Sequence, residues 1–316
     1  MENTLPDTIC YLNGDYTPLK DAKISVLDRG FIFGDGVYEV LPVYAGQFFR
    51  FAHHMARLGR SLVEMRIPNP LSQNEWHKIA TKLVAARAYR ISVDGLNDAK
   101  KEGVNAPQPD QVVYIQISRG VAPRDHIMPP NLKPTVFMMV NAMKLPTDAQ
   151  RSKGVACVTA NDFRWEKAHI KSTSLLGAVF SRQMSADVGA LETIMYRGDY
   201  LSEAAASNVW VVKGGKLLGP LKDNLLLEGI RFGLFEELCR AQGIPFELRQ
   251  ITQAEVLDAD ELMLSSATKE VLPVTLLDGV KVGTGSPGPV YAKLYAAYQD
   301  AKKLAASTEI AAGQPA

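Results

Sequence analysis

The sequence predicts an α+β fold divided into two domains. Strand-like apolar segments are mixed with amphipathic helices, and the two do not follow the regular alternation of a doubly wound parallel sheet. The chain has 316 residues, which is enough for two hydrophobic cores. Residues 144–150 contain a proline and an aspartate and are typical of a linker. We therefore expect a small N-terminal α+β domain over residues 1–143 and a larger C-terminal domain over residues 151–304.

Two hairpins are predicted at the start of the N-terminal domain. A strand over residues 9–12 precedes Asn13-Gly14, a pair that tolerates the positive φ angles of a tight turn. Ala45-Gly46 joins strands over residues 37–44 and 47–50. Apolar spacing predicts the other elements of this domain, which are helices over residues 52–65 and 73–89 and strands over residues 112–118 and 135–142.

Three loops of this domain have distinct compositions. The glycines of residues 28–36 suit a loop whose backbone comes close to another group. Residues 91–109 combine Asp-Gly and Asn-Asp pairs with two prolines, which predicts a solvated loop. Residues 119–126 include two arginines and a histidine. Because binding residues are often carried by loops, this last loop is a candidate binding segment.

The C-terminal domain is predicted from the same patterns. Its strands are expected over residues 155–159, 192–196, 208–212, 245–249 and 261–264, and its helices over residues 175–188, 230–242 and 289–303. Residues 305–316 are small and polar, and we expect a disordered tail.

Composition and charge argue against several functional classes. Lys and Arg total 35 against 34 for Asp and Glu, so no broad attraction to nucleic acid or to an anionic membrane is expected. The apolar runs are too short to span a bilayer and the start does not resemble a signal peptide, so we expect a cytoplasmic protein. The 3 cysteines and 5 histidines follow no ligand spacing, so we expect buried thiols and no metal site.

One lysine stands in an otherwise apolar and small-residue run, residues 169–178. A lysine placed like Lys171 loses hydration, which favours the neutral, nucleophilic amine that Schiff-base chemistry requires. The alternative is a lysine whose head group reaches solvent from the end of a strand. The surrounding motifs have to decide between these two interpretations.

Two other motifs offer chemistry but fit it poorly. Residues 283–288 match GxGxxG, yet they lack the returning strand and the acidic residue of a dinucleotide site, so the motif predicts a turn. A serine or cysteine hydrolase would need a GxSxG elbow or a cysteine–histidine pattern, and the sequence has neither.

Motifs spread along the chain point to one family. They are Asp28-Arg29-Gly30, Phe33-Gly34-Asp35-Gly36-Val37-Tyr38-Glu39, His54-x-x-Arg57, Arg164-Trp165, Ile170-Lys171-Ser172, Leu175-Leu176-Gly177-Ala178, Glu203 followed by Ser207-Asn208-Val209, and Gly229-Ile230. In this order they resemble the pyridoxal-phosphate enzymes of fold type IV, which include D-amino acid transaminases, branched-chain aminotransferases and aminodeoxychorismate lyase. The likeness omits mainly residues 91–109 and the tail.

The resemblance implies a two-domain fold type IV enzyme that binds pyridoxal 5′-phosphate in its C-terminal domain and forms a homodimer. Lys171 would be the Schiff-base lysine and would then move the proton between the substrate Cα and the cofactor. Glu203 would face the pyridine nitrogen and keep it protonated, which makes the ring a better electron sink.

The resemblance also implies contacts to the rest of the cofactor. Arg57 matches the phosphate arginine of the family, and Gly229-Ile230 begins a helix whose first N–H groups favour an anion. Leu227 resembles the leucine that packs on the ring face, although a plain core leucine is an open alternative. A second phosphate-binding turn includes Ser266 and Thr268. The residues expected to contact the cofactor are Arg57, Arg164, Glu203, Leu227, Gly229, Ile230, Arg231, Ser266 and Ala267.

Substrate choice depends on residues 123–126. In D-amino acid transaminases an Arg-x-His at this place joins a strand tyrosine in holding the substrate α-carboxylate, and Arg124, His126 and Tyr38 match these residues. Arginine offers a planar fork that fits a carboxylate. Branched-chain enzymes do not carry the Arg-x-His, so its presence favours D-amino acids. The alternative is a solvated loop with incidental charges.

The chain departs from the family pattern at three places. Ala267 stands where a hydroxyl residue is frequent, Arg231 stands where a threonine is common, and alanines occupy residues 204–206 in place of a glycine and serines. Each lost hydroxyl removes about 1 kcal/mol if its hydrogen bond is not replaced. The cofactor should therefore bind less tightly unless Arg231 compensates.

We expect amino-group transfer between a D-amino acid, such as D-alanine or D-glutamate, and a 2-oxo acid, such as 2-oxoglutarate or pyruvate. The alternatives on the same fold are a branched-chain or broad-specificity L-amino acid aminotransferase and an aminodeoxychorismate lyase-type enzyme. A non-catalytic protein that binds pyridoxal phosphate is disfavoured because Lys171 and Glu203 are both present.

Overall fold

The computed structural model describes residues 8–89 and 109–312 of the chain. The chain divides into two compact units, one of Met1–Met143, Ile170–Ser174 and Ala305–Ala316 and one of Lys144–His169 and Leu175–Leu304. The division after residue 143 falls where the sequence predicts the linker to begin. The segment that contains Lys171 belongs to the first unit, whereas the sequence placed it in the C-terminal domain.

The first unit is built on a six-stranded sheet with the strand order β2-β1-β6-β5-β3-β4. Both predicted hairpins are confirmed, because Asn13 and Gly14 have φ angles of 54° and 117° and Ala45 and Gly46 have φ angles of 48° and 83°. The strands are β1 (Ile9–Leu12), β2 (Asp15–Pro18), β3 (Gly36–Tyr44), β4 (Gln47–Phe48), β5 (Gln111–Ser118) and β6 (Thr135–Ala142).

Among the described residues, the α-helices of the first unit include α1 (Arg29–Phe33), α2 (Phe51–Glu64) and α3 (Gln73–Tyr89). The predicted helices α2 and α3 are confirmed, and α2 buries Met55, Leu58 and Leu62 in the core. Residues 28–36, expected to be a loop, contain the single turn of α1. This turn forms because the Asp28 carboxylate accepts the Gly30 N–H at its start, which satisfies a backbone donor that the helix itself leaves free.

The second unit is built on a nine-stranded mixed sheet with the order β12-β11-β10-β13-β14-β7-β8-β9, in which β15 pairs with β14. Sequence patterns missed β14 because Pro273 lies within it, and a proline argues against an inner strand. The strands are β7 (Val155–Asn161), β8 (Glu192–Arg197), β9 (Tyr200–Ala204), β10 (Asn208–Lys213), β11 (Lys216–Gly219), β12 (Phe246–Leu248), β13 (Glu261–Ser266), β14 (Glu270–Leu277) and β15 (Val280–Lys281).

The remaining helices differ from the sequence prediction at three places, one of which is a short helix over Gln253–Leu257 that the sequence did not predict. The helix α4 begins inside the predicted linker, since Thr147 and Gln150 form a capping box at its start. The last helix continues to residue 312, so the expectation of a disordered tail is wrong for residues 305–312. That stretch is rich in alanine and has no glycine or proline, which suits a helix. The helices are α4 (Asp148–Lys153), α5 (Leu176–Asp187), α6 (Arg231–Gln242), α7 (Gln253–Leu257) and α8 (Pro289–Ala312).

Other expectations have mixed outcomes. The three cysteines are buried free thiols, as expected, and Gly283 and Gly285 adopt the positive φ angles of a turn. The predicted loop over residues 91–109 lies outside the described residues except for its last position. Among the described helices, none has the length and apolar character needed to cross a bilayer.

Candidate active site

Lys171 lies on a short extended segment that pairs with β3 in the first unit. Ser172 forms a bridge with Val37, the Tyr38 N–H donates to the Lys171 carbonyl at 2.9 Å, and the Lys171 N–H donates to Ser61 Oγ at 3.2 Å. The side-chain amine, Nζ, is 4.2 Å from the centre of the Tyr38 ring. The structure therefore brings together the predicted Schiff-base lysine and the predicted substrate tyrosine.

Arg57 is held by a buried carboxylate. Its Nε and Nη2 donate to the two oxygens of Glu39 at 3.0 and 2.6 Å, and His54 Nδ1 is 3.0 Å from Glu39 Oε1. Burial alone would raise the pKa of Glu39, but the charges and hydrogen bonds of Arg57 and His54 outweigh burial and lower that pKa well below its ordinary value. Glu39 therefore stays ionised and fixes the direction of the Arg57 guanidinium.

Arg124 and His126 lie against one aromatic ring. The guanidinium carbon of Arg124 is 5.5 Å from the centre of the Phe33 ring, and the imidazole centre of His126 is 5.4 Å from it. Both side chains are exposed. The structure therefore brings together Arg124 and His126, two of the residues expected to hold a substrate carboxylate.

The loop that carries Arg124 is connected to a buried ion-pair cluster. Arg29 Nη1 donates to the Asp125 carbonyl at 2.6 Å, and Arg29 Nε donates to Asp35 at 2.7 Å. Arg119, at the start of the loop, donates from Nε and Nη2 to the same Asp35 carboxylate at 2.7 and 3.0 Å. The loop is therefore fixed at two points, while the side chains of Arg124 and His126 are exposed.

Glu203 is the central group of the second unit. It is 5% exposed and lies in β9. Its Oε1 accepts from Arg164 Nη1 at 2.7 Å, and its Oε2 accepts from Asn208 Nδ2 and from the Leu227 N–H, both at 3.2 Å. Both carboxylate oxygens are therefore oriented by neighbouring donors.

Burial dominates the ionisation of Glu203. Loss of solvent raises its pKa to about 7, although the charge and hydrogen bond of Arg164 and the Leu227 N–H oppose this rise. For Arg164, burial alone would lower the pKa, but Asp162 and Glu203 outweigh burial and raise it. Both observations are consistent with a dry pocket in which the arginine stays charged and the carboxyl changes its protonation state near neutral pH.

Asp162 orients Arg164 from the other side. Arg164 Nε and Nη2 donate to its two oxygens, each at 2.9 Å, and Ser202 Oγ donates to it at 2.9 Å. Arg164 therefore bridges two buried carboxylates. Its observed contacts are to the carboxylate expected to face the cofactor, and its predicted contact with the cofactor itself stays a prediction.

The remaining predicted cofactor residues surround the start of α6. A Cβ at Gly229 would collide with Asn208 Oδ1, and the amide of Asn208 is held by Glu203 and the Leu227 carbonyl, so a larger residue at 229 would disturb these contacts. Ile230 precedes the helix, and no side chain among the described residues caps it. Arg231 is 2% exposed and donates from Nη2 to the carbonyl of Ala267 at 3.2 Å. The start of α6 and the turn between β13 and β14 are therefore in direct contact.

These residues of the second unit fit pyridoxal phosphate. A buried, pre-oriented carboxylate suits a protonated ring nitrogen, and an uncapped helix start suits a phosphate. Leu227 is half-buried rather than part of the core, which agrees with a leucine that packs on a ring. Ser266 Oγ accepts the Lys269 N–H at 3.1 Å and so belongs to the same turn.

Sequence reasoning missed several residues that position the predicted ones. Glu39, His54 and Asn208 stood in the motifs but received no role, and Asp162 and Tyr298 lay outside the motifs altogether. A buried arginine requires an acceptor, which is a signal that a carboxylate must be near Arg164. The sequence does not show which carboxylate it is.

Comparison with known proteins gives a consistent result. The family model "Amino-transferase class IV" matches residues 36–277. The D-alanine aminotransferase of Listeria monocytogenes is 34% identical over 286 residues, which is 90% of this chain and 92% of that protein.

Solved structures of branched-chain aminotransferases share the fold. The Escherichia coli enzyme is 22% identical with a TM-score of 0.79, covering 93% of this chain and 94% of that one. The enzyme of T.th., solved with pyridoxamine 5′-phosphate, is 20% identical with a TM-score of 0.81, covering 95% of both chains.

The raised pKa of Glu203 predicts a pH-dependent contribution to stability. Between its ordinary value of 4.5 and about 7, the folded protein holds a proton that the unfolded chain releases, so stability falls as pH rises. Glu203→Gln lacks this titration. We compare the free energy of unfolding of the wild type with that of the variant. The difference, wild type minus variant, should fall by on the order of 3 kcal/mol as pH rises across this range. Urea unfolding of the cofactor-free proteins at several pH values measures it.

Glu270→Gln is the matched control for this titration. Because the charge and hydrogen bond of Lys302 and the charge of Arg151 outweigh burial and lower the pKa of Glu270, its contribution is present above about 4.5 and is lost only at lower pH. The difference between wild type and Glu270→Gln should therefore stay flat from pH 4.5 to 7. A flat difference for Glu203→Gln as well would contradict the raised pKa.

Proposed function

We propose that this chain, which belongs to the class IV aminotransferase family and uses its cofactor pyridoxal 5′-phosphate, transfers the amino group between a D-amino acid and a 2-oxo acid. D-alanine or D-glutamate would be the donor, and 2-oxoglutarate or pyruvate the acceptor. The D-alanine aminotransferase of Listeria monocytogenes, 34% identical, supports the donor class. The branched-chain enzymes, at 20% and 22% identity, support the fold alone.

The observation that carries the reaction type is the buried carboxylate of Glu203. Arg164, Asn208 and the Leu227 N–H orient its two oxygens. When bound, pyridoxal phosphate supplies a conjugated ring that accepts the electron pair left at the substrate Cα. Glu203 would hold a proton at the ring nitrogen, which strengthens this electron acceptance. Its raised pKa suits a group that shares a proton with a basic nitrogen.

Lys171 would perform the covalent and proton-transfer work. Its amine would hold the cofactor at rest and, once the amine of the substrate has taken that place, would accept the proton from the substrate Cα. The Tyr38 ring lies 4.2 Å from Nζ, and a ring face stabilises the ammonium form. Tyr38 would therefore help to hold the proton on Lys171 between its removal from Cα and its return.

The preference for D-amino acids is proposed from Arg124 and His126. A carboxylate fixed on one side of the reacting carbon determines which enantiomer directs its Cα–H at the lysine. Arg124 offers two parallel donors to a carboxylate, and Arg29 holds the loop backbone through the Asp125 carbonyl at 2.6 Å. A fixed backbone lowers the entropy lost when the exposed side chains bind.

We also propose that the enzyme is a homodimer. The helix α5 exposes a row of apolar side chains, and contiguous exposed apolar surface marks an association site. These residues are Leu176 at 69%, Val179 at 59%, Phe180 at 57% and Met184 at 43% exposure. The cytoplasmic location expected from the sequence stays a prediction, which fractionation of expressing cells tests.

The reaction is tested with a panel of D- and L-amino acids. The purified protein with its cofactor should be yellow, and its visible absorption band should disappear on addition of D-alanine or D-glutamate. Reduction with borohydride followed by peptide mass spectrometry should find the cofactor on Lys171. Lys171→Ala should keep the fold but lower the transamination rate by about 10³-fold or more, because it removes both nucleophile and base.

Each outcome of this panel has a distinct meaning. A band that disappears only with L-leucine would refute the D-amino acid preference and support the branched-chain alternative. Release of many equivalents of pyruvate per enzyme without any 2-oxo acid acceptor would indicate lyase chemistry, because a transaminase stops after one equivalent when no acceptor is present. A Lys171→Ala enzyme that transaminates at the wild-type rate would refute the role of that lysine.

Arg124→Ala should weaken substrate binding without weakening cofactor binding. Loss of a charge-assisted, bidentate contact costs about 1.5–3 kcal/mol, so KM for D-amino acids should rise roughly ten- to a hundredfold. Steady-state kinetics measures KM, and absorbance titration measures cofactor affinity. Lys133→Ala is the control. It removes an exposed cation from the same connection between β5 and β6, and it should leave KM unchanged. An unchanged KM in Arg124→Ala would show that the loop does not bind the carboxylate.

Val179→Asp should dissociate the proposed dimer. A charge placed in an apolar contact costs about 3 kcal/mol, so the dimer dissociation constant should rise by roughly a hundredfold. Sedimentation velocity over a concentration series measures this constant. Val63→Asp, at a more exposed apolar position on α2 (76% exposed), is the control and should leave this constant unchanged. A wild-type monomer at every concentration would refute the homodimer.

A further inference from the structure

Arg231 is a buried arginine at the first position of α6. It is 2% exposed and is among the largest fully buried side chains. Nothing about a helix start requires arginine there, since an exposed short polar residue would serve the backbone equally well. Burying a guanidinium is costly unless its donors are used. The contacts of Arg231 therefore define what it does.

The guanidinium connects two elements besides its own helix. Nη2 donates to the Ala267 carbonyl at 3.2 Å and to Tyr298 Oη at 2.7 Å. Ala267 lies in the turn between β13 and β14, and Tyr298 lies on α8 and is 0% exposed. One side chain thus joins the start of α6, the hairpin turn and the last helix.

The opposite side of the same turn is fixed by ion pairs. Glu270, at the end of the turn, has a φ angle of 58°, which is unfavourable for a residue other than glycine. Its carboxylate accepts from Lys302 Nζ at 2.7 Å and pairs with Arg151 at 3.0 Å. Lys269 Nζ donates to the buried Glu192 at 2.9 Å. On the side of Ala267, the connection to α6 is made by Arg231.

We infer that Arg231, with Tyr298 as its fixed acceptor, is a positioning residue for the phosphate-binding backbone of the second unit. The inference rests on the proposed function, since it concerns the phosphate of that cofactor. Arg231 holds the helix start and the turn at a fixed separation, so that their backbone N–H groups are directed at a phosphate before it binds. Tyr298 fixes the plane of the guanidinium.

This role explains together two of the three departures from the family pattern, those at positions 231 and 267. Position 231 lacks a hydroxyl and so does position 267, which removes two side-chain donors to a phosphate. Backbone N–H groups bind anions well only when they are held in place before binding, because reorganisation otherwise consumes the gain. The buried contact of Arg231 with the Ala267 carbonyl holds the two backbone segments in place in this way. Arg231 and Ala267 are therefore two parts of one arrangement, in contact at 3.2 Å.

The test compares pyridoxal phosphate with pyridoxal, which lacks the phosphate. Cofactor-free enzyme is prepared for wild type, Arg231→Lys and Tyr298→Phe, and both compounds are titrated by absorbance. Each variant should raise the Kd for pyridoxal phosphate by about tenfold, the effect of losing one hydrogen bond to a charged group. The Kd for pyridoxal should change less than about twofold, because the ring contacts are retained. Arg240→Lys, on the same helix and 78% exposed, is the control and should change neither value.

The outcomes separate this inference from the proposed function. A wild-type protein that binds neither compound would refute the proposed function, and the inference with it. Wild-type binding with unchanged Kd values in both variants would refute the inference alone. An equal rise in Kd for both compounds would also refute it, since that result indicates general loosening of the second unit. Tyr298→Phe removes only a hydroxyl, so it keeps the test valid if Arg231→Lys does not fold.

Discussion

The ion pair between Glu203 and Arg164 is the interaction on which the second unit depends. A carboxylate that is 5% exposed loses its hydration, and the folded state has to replace the lost hydrogen bonds. The donors come from three separate parts of the chain, the segment before α5, the start of β10 and the Leu227 backbone. Hydrogen bonds to this one buried carboxylate therefore hold three segments of the chain together. They also set the direction of the carboxylate before any ligand binds.

The same constraint operates in the first unit with the opposite electrostatic result. Glu39 is 0% exposed, but it faces both Arg57 and His54, so its pKa is lowered, whereas burial raises that of Glu203 to about 7. The number of cations around each carboxylate accounts for the difference. A carboxylate that stays ionised suits the fixing of an arginine, and one that titrates near neutral pH suits the sharing of a proton. The two buried glutamates therefore acquire different properties from their neighbouring cations.

The sequence predicted most elements, and its failures have physical causes. Regular apolar spacing is a local signal, so α2, α3 and the two hairpins were predictable from the chain alone. The segment around Lys171 was assigned to the wrong unit because its pairing with Val37 and Tyr38 is a tertiary contact. The motifs predicted Lys171, Glu203 and Arg57 as functional residues. They could not supply Asp162 or Tyr298, because those residues act only through the side chains they hold.

Fold similarity cannot decide between D- and L-amino acids, because enzymes named for branched-chain substrates share the fold at TM-scores of 0.79 and 0.81. The decision has to come from a few groups that meet the substrate carboxylate. In this chain those candidates are exposed side chains on a loop, but the loop backbone is held by Arg29 and Arg119 through the shared, buried Asp35. When the backbone of such a loop is fixed, substitutions of its side chains can alter which enantiomer binds while the rest of the fold stays the same. The buried Asp35 cluster therefore supports the proposal that this loop selects the enantiomer, because it fixes the backbone that carries Arg124 and His126.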